Sequence, residues 1–537
     1  MSEIRNIGVM LDMSRNGVMR PERLKRFIDL LSAMGYTYLQ LYTEDTYEVE
    51  GQPYFGYMRG AYTAEELKEV DAYAAGKGIE LIPCIQTLAH LQSIFKWEDY
   101  GDLCDCGDIL LAGDERVYRL IDDMFATLAK NFTSRRVHIG MDEAHMVGLG
   151  KYLDLHGYED RFAILARHLK RVSEIAEKYG FRPMMWSDMF FRLANHGQYY
   201  GGKASVSEEL KKLVPANLEL VYWDYYHLNK KDYDGMLEGH ALFDNKTVFA
   251  GGAWSWTGFT PENGYSIKAS KAALKSCREH GVEDVFVTLW GDNGKECSYF
   301  SLLPALFCFA EFAKGHFEMG PIKEKFAAIV GMKFDDFIRL DLPNDGFGNQ
   351  DNCTNPSKYT LYSDVFYGFL DPTVPDGMGE YFGACARKLN RLTKEGEFSP
   401  LFSCVYRLCR VLEIKAELGK RARALYLAGD RAGMKTLAGK DMGVLLKRLD
   451  EFYSAFRTLW YLDNKPVGFE VQDVRLGGLM QRLKHVREIL TDYADGKTEK
   501  IEEFEKPLLP YLVNGQPRES QVVFANWGST VTSCPIN

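Results

Sequence analysis

Arg136-Val137-His138-Ile139-Gly140-Met141-Asp142-Glu143 reads as an apolar strand ending in two adjacent carboxylates. Buried acids must be paired, hydrogen-bonded or shifted in pKa, so a strand tip facing a cleft is where such groups do chemistry. The plain alternative is an acidic turn whose side-chain oxygens cap the next helix. This stretch decides the fold because it is the fourth of eight like it. The others are Asn6 to Asp12, Tyr36 to Thr43, Ile79 to Thr87, Pro183 to Met189, Leu218 to Tyr226, Thr247 to Trp256 and Asp284 to Asp292. Each is followed by an amphipathic helical stretch. Most are continuously apolar in their middles, as strands covered on both faces are. Pro21 and the capping box Thr63-Ala64-Glu65-Glu66 open helices, while Gly35, Gly78, Gly180 and Gly281 close them just before strands two, three, five and eight. Eight strand–helix units are the count of a (β/α)8 TIM barrel. An open doubly wound sheet would carry a glycine-rich phosphate turn after its first strand, and Asp12-Met13-Ser14-Arg15 is not one.

The expected organisation is α/β: a catalytic barrel over residues 1–318, then a mainly α-helical domain over 319–537. Asp341 to Tyr359 reads as a long irregular connection. Helical spacing follows at 377–396, 400–428, 430–463 and 470–495, and the tail from Pro507 is polar and β-prone. The helical part is expected either to pack on the barrel or to make homodimer contacts. The chain has 537 residues, 46% hydrophobic and 13% aromatic, enough for a large core. Its formal charge of -10 and lack of a basic run argue against nucleic acid as a partner. The opening residues Met1 to Asn6 lack the layout of a signal peptide, and the apolar stretch Leu302 to Phe309 is too short to cross a bilayer. Eleven cysteines fit free thiols in a reducing cytoplasm better than a disulfide framework. Cys104-Asp105-Cys106 invites a metal, but no second Cys/His pair at zinc spacing accompanies it, so neither metal nor cofactor is expected.

In such a barrel the site lies at the C-terminal rim, so the run ends are read together. They supply Asp12 and Arg15, Glu44-Asp45, His90, Asp142-Glu143, Trp186 and Asp188, Trp223 with Asp224 and Tyr225, Trp254 and Trp256, then Trp290 and Asp292. Every barrel tryptophan except Trp97 falls at such an end. One indole there is ordinary core; four consecutive strands each presenting one is not. Aromatic walls with a few charged groups at the base suit a sugar, whose C–H face stacks on indole while carboxylates and an Arg grip hydroxyls. Adjacent acids cannot easily face each other across a glycosidic bond as an ordinary retaining pair does, so the doublet points to divided labour.

These residues resemble family 20 of the glycoside hydrolases, the β-N-acetylhexosaminidases, over about residues 5–315. Leu11-Asp12-Met13-Ser14-Arg15 is similar to the family's strand-one segment, Thr43-Glu44-Asp45 to its strand-two acidic pair, and His90 to its histidine after strand three. His138 to Glu143 resembles its catalytic signature, and Trp290-Gly291-Asp292 its strand-eight motif. The barrel-first layout resembles the compact bacterial branch. The resemblance implies an exo-acting retaining hydrolase of terminal N-acetylglucosamine or N-acetylgalactosamine, in which the substrate's acetamido oxygen attacks the anomeric carbon. It implies Glu143 as general acid and then base, protonated at rest, and Asp142 as the ionised group that holds the acetamido N–H. Arg15 and Glu44 would bind ring hydroxyls and Asp292 the outer ones. Trp290 would form the floor, and Trp186, Trp223 and Trp254 would enclose the acetamido group. The family's strand-seven tyrosine and aspartate are missing from Ala253-Trp254-Ser255-Trp256-Thr257. Tyr225, which shares the facing of Trp223 by period-two alternation, is the best replacement. His138 is expected to be a satisfied core histidine, and His90 to tune the acid pair. An exo-β-glucosaminidase or disaccharide-releasing hydrolase of the same fold, and a non-catalytic glycan-binding barrel, stay open as alternatives.

Overall fold

The computed structural model describes residues 3–201, 206–345, 353–509 and 526–536, with the backbone of 512–513 and 516–517. β1 (Asn6–Asp12), β2 (Tyr38–Thr43), β3 (Glu80–Ile85), β4 (Arg136–His138), β5 (Arg182–Trp186), β6 (Glu219–Trp223), β7 (Thr247–Gly252) and β8 (Asp284–Leu289) are all parallel. They close in the order β1-β8-β7-β6-β5-β4-β3-β2. Pro21 is the first residue of a helix, and the Thr63–Glu66 capping box is formed in full. Several strands stop short of the apolar runs that announce them. The run read as Arg136 to Glu143 is strand only to His138, because Gly140 and Met141 take left-handed φ of 70° and 66° and leave the ladder.

Contacts between non-adjacent strands identify the inward positions. At the N-terminal end, the first residues of the even strands form one layer. Tyr38 Oη donates to Asp284 Oδ1 at 2.6 Å, Arg136 Nη2 lies 2.7 Å from Asp284 Oδ2, and Glu219 Oε2 lies 3.5 Å from Arg136. Four residues contributed by alternate strands are the layering such barrels use. Gly8 of β1 makes room for it, since a Cβ there would sit 2.1 Å from the Tyr38 ring. Higher up, Gln40 reaches Met184, Cys84 reaches Met10, and Phe286 meets His138 and Trp186. Period-two alternation then carries the inward face from Tyr38 and Gln40 to Tyr42 and Glu44, and from Phe286 to Thr288 and Trp290.

Two compact units divide the chain: Met1–Ala253 with Ser266–Trp290 and Ala305–Gly331, and Met332–Asn537 with Trp254–Tyr265 and Gly291–Pro304. The segments following β7 and β8 are thus folded into the second unit. Asn355 Nδ2 donates to the Thr257 carbonyl at 2.7 Å, Lys358 Nζ pairs with Glu296 at 2.7 Å, and Arg475 donates to the Asn293 carbonyl at 2.7 Å. The rest of that unit is helical, notably Met378–Leu389, Ser399–Lys415, Met442–Asp463 and Phe469–Ala494. Part of the irregular connection, 346–352, lies outside the described residues, as does much of the tail. Leu512–Val513 pairs with Gln516–Pro517, and Trp527–Val531 is helical.

The lowest barrel layer is a buried ion cluster, and removing Arg136 takes from Asp284 its closest cation, leaving it Tyr38 and the more distant, half-exposed Lys246. Arg136→Met is expected to cost about 3 kcal/mol, read as a lower denaturation midpoint. Adding Asp284→Asn to it should recover part of the loss, because the stranded charge is then gone.

Candidate active site

The inward face ends at the rim in the polar residues Asp12, Glu44, Gln86, Asp142 and Asp188 and the aromatic Trp223, Tyr225 and Trp290. Asp142 is 8% exposed. Gln86 Nε2 donates to its Oδ1 at 2.8 Å and to the Tyr42 hydroxyl at 3.0 Å, while Gln86 Oε1 accepts the Met141 N–H at 3.1 Å. Gly140 is required beside it, since a Cβ would meet Gln86 Oε1 at 2.1 Å. His90 Nε2 lies 3.3 Å from Asp142 Oδ2 and 3.9 Å from Glu143 Oε2. Its main-chain N–H donates to Asp108 at 3.0 Å. Burial alone would raise the Asp142 pKa, but the His90 charge and the Gln86 hydrogen bond outweigh it and hold the carboxylate below its usual range. Burial would likewise lower His90, but Asp142 raises it to about 9. The pair is therefore a carboxylate and an imidazolium across neutral pH.

Glu143 stands one position off the inward parity. It faces the same side because its own φ is 52°, and its side chain remains 46% exposed. Its N–H donates to Asp188 Oδ2 at 3.2 Å. Asp188, the first residue of a helix, is fully buried and also lies 3.3 Å from Arg192 Nε. Burial and then the Asp142 charge push its pKa up. His90, Met141 and Glu143, with φ of 60°, 66° and 52°, concentrate left-handed non-glycine backbone here, a strain that folds tolerate mainly at functional positions.

On the other side of the cup, Arg15 Nη1 lies 3.2 Å from Asp12 Oδ2 and Nη2 lies 3.3 Å from Glu44 Oε1. Its guanidinium sits 5.3 Å from the Trp290 ring and 5.1 Å from Tyr42. Tyr42 Oη donates to Glu44 Oε1 at 3.0 Å, and burial raises Glu44 to about 7 against the Arg15 charge. Trp223 stacks on Tyr225 at 5.3 Å. The Tyr225 hydroxyl accepts the Trp290 indole N–H and meets the Thr288 side chain. Burial keeps that phenol protonated.

Arg15, Glu44, His90, Asp142, Glu143, Trp223, Tyr225 and Trp290 thus share one rim of the barrel. Trp186 sits one layer lower: 1% exposed, it packs 4.4 Å from His138 and 6.1 Å from Trp290 and supports the cup from beneath. Trp254, stacked on Trp256 at 4.4 Å, and Asp292 belong to the second unit. His138 is core, but not satisfied as expected. Its Nδ1 accepts the Gly140 N–H at 3.1 Å, burial lowers its pKa to about 3, and Nε2 has no hydrogen-bond partner among the described residues. Reading the sequence missed Gln86 and Tyr42, although both are polar or aromatic inward residues at strand tips. Asp105, between the two cysteines, is spent on the Gly148 and Tyr152 N–H groups, at 2.7 and 2.8 Å. Among the described residues no cluster of His, Cys, Asp or Glu could hold a metal.

The His90–Asp142 pairing also ties stability to pH. The depressed Asp142 pKa stabilises above the usual carboxylate range and that gain is lost as pH falls through its lowered value. The raised His90 pKa stabilises below 6.5 and that gain is lost as pH rises through about 9. His90→Gln is expected to raise the Asp142 pKa, measured by carboxyl 13C chemical shift against pH. An unshifted titration would show that His90 does not hold the charge.

Residues 6–233 match the catalytic domain of glycosyl hydrolase family 20, and residues 335–523 match the glycoside hydrolase 20C C-terminal domain. Over 242 residues the chain is 26% identical to hexosaminidase D of Bos taurus, covering 43% of this chain and 65% of that protein. It is 27% identical over 268 residues to a beta-hexosaminidase of Akkermansia muciniphila, covering 42% and 54%. A crystal structure of an exo beta-N-acetylglucosaminidase from Vibrio harveyi aligns with a TM-score of 0.46 at 16% identity, over 64% of this chain and 59% of that one. The chain spans less than two-thirds of the length of each of these relatives.

Proposed function

The chain belongs to family 20 of the glycoside hydrolases, and from that membership and the geometry of the cup we propose that it is an exo-acting β-N-acetylhexosaminidase. Its substrate is a glycan ending in N-acetylglucosamine or N-acetylgalactosamine. The observation that carries the reading is a buried carboxylate, Asp142, kept ionised by His90 and Gln86 beside a second acid turned toward the cup on strained backbone. A binding protein has no use for that arrangement. A reaction that builds positive charge near an acetamido group does.

Arg15 and Glu44 hold ring hydroxyls of the terminal sugar, with Trp290 beneath the ring. Trp223 walls the acetamido group, with Trp186 supporting from below. Asp142 accepts the acetamido N–H and orients the amide oxygen toward the anomeric carbon. The Tyr225 hydroxyl is the donor that steadies that oxygen, in the role left open by the missing strand-seven tyrosine. Glu143 gives its proton to the leaving oxygen as the anomeric bond to it breaks and the amide oxygen bonds to the anomeric carbon. An oxazolinium results, with no bond to the protein. Glu143, now a carboxylate, takes a proton from water as that water opens the ring with retention. The eleven free cysteines support a reducing, cytoplasmic setting. Among the described residues no helix is long and apolar enough to cross a membrane. Homodimerisation through the helical unit is part of the same proposal.

Glu143→Gln should lower kcat/KM on a nitrophenyl N-acetylglucosaminide about a thousandfold; near-full activity would reject the acid–base role. Asp142→Asn should lose about a hundredfold, and only on substrates that carry the acetyl group. A wild-type preference for free glucosaminides in the same panel would favour an exo-β-glucosaminidase instead.

A further inference from the structure

We propose that Asp188 is a positioning residue for the general acid, holding the Glu143 main chain so that its carboxyl meets the leaving oxygen; this rests on the glycosidase reading above. Asp188 follows β5 on the same inward parity as Trp186 and is fully buried. Its Oδ2 accepts the Glu143 N–H at 3.2 Å, and Arg192 Nε lies 3.3 Å from the same oxygen. Oδ1 has no hydrogen-bond partner among the described residues. The carboxylate is therefore directed at the main chain of Glu143.

An acid in this place does not serve packing. Burial and the Asp142 charge push its pKa up to about 7, against the Glu143 N–H and the Arg192 charge. An apolar side chain of similar volume would suit the core at least as well. What the carboxylate supplies is an acceptor opposite a strained residue. Glu143 holds a φ of 52°, which side-chain-bearing residues adopt only when their surroundings impose it. On its other side, the Glu143 carbonyl accepts the His145 N–H at 2.6 Å. The peptide carrying the acid is thus fastened at both ends, and Asp188 is the fastening on the β5 side.

Asp188 is itself braced. The N–H and Oγ of Ser187, just before it, each lie 2.9 Å from the Val221 carbonyl of β6, and Oγ lies 2.8 Å from His240 Nε2. Arg192 Nη1 donates to the Gly197 carbonyl at 3.3 Å, and the guanidinium sits 5.6 Å from the Tyr199 ring and 6.0 Å from Trp223. Tyr199 Oη in turn accepts the Trp223 N–H at 3.2 Å. The support of the acid and the aromatic wall beside it share one buried framework. Proton delivery depends on placement to within about 1 Å, so loosening this support acts on the proton-transfer step.

The leaving group provides the test, because kcat/KM reports the first bond cleavage, in which Glu143 acts as acid. The methyl N-acetyl-β-glucosaminide needs that proton, since methoxide is too basic to depart unprotonated. The 2,4-dinitrophenyl glycoside does not, since its phenolate leaves as an anion. Asp188→Ala and Asp188→Leu should each lower kcat/KM about thirtyfold on the methyl glycoside and no more than about threefold on the dinitrophenyl one. The ratio of the two rates in one preparation is independent of how much of the variant is folded. Asp188→Asn, which keeps an acceptor for the Glu143 N–H, should restore most of the loss. Equal falls on both substrates would make Asp188 structural and overturn the proposal. So would unchanged rates, or an Asn variant as impaired on the methyl glycoside as the Ala variant. A wild-type chain inert toward both substrates would overturn the glycosidase reading, and the positioning role with it.

Discussion

In a closed eight-stranded barrel each strand aims only every second residue at the axis, and this alternation governs what the molecule can do. Arg136, Tyr38, Glu219 and Asp284 fill the bottom, with His138, Gln40, Phe286 and Trp186 above them. The same parity delivers Glu44, Gln86, Asp142, Tyr225 and Trp290 to the rim. Packing and chemistry are two ends of one set of residues. Asp142 is therefore close to a low-dielectric core, and His90 and Gln86, reaching it from the neighbouring strand's end, help hold it ionised against burial.

Glu143 breaks the parity, and that break separates the two acids in environment. An in-parity neighbour would have been buried like Asp142 and would compete for the same imidazolium. Left-handed backbone at Gly140, Met141 and Glu143 instead brings the second carboxyl to a half-exposed place at the mouth of the cup, beside His90. Asp188 completes the turn by accepting the Glu143 N–H.

Much of this was legible from the sequence because the barrel's rules are local. Apolar runs at strand length, helix starts at Pro21 and Thr63, and the aromatic and acidic residues at run ends place the eight strands and most of the rim. The same reasoning took strand four to Glu143, because Ile139 and Met141 continue the apolar run while the left-handed bend leaves no trace in residue type. Gln86 escaped notice since a neutral amide carries no obvious chemistry until its two partners, Asp142 and the Met141 N–H, are seen together. The sorting of Trp254 and Asp292 into the helical unit was equally invisible. It is set by contacts such as Asn355 to Thr257 and Arg475 to Asn293, far apart in sequence.

In the proposed mechanism the sugar supplies its own nucleophile while Asp142 steers it. The most direct measurement is a crystal structure with a thiazoline mimic of the cyclised intermediate. The ring nitrogen should lie within hydrogen-bond distance of Asp142, the sulfur side toward Tyr225, and Glu143 over the anomeric face. A bound ring whose nitrogen faces away from Asp142, or a covalent bond from the anomeric carbon to any protein carboxylate during turnover, would contradict it.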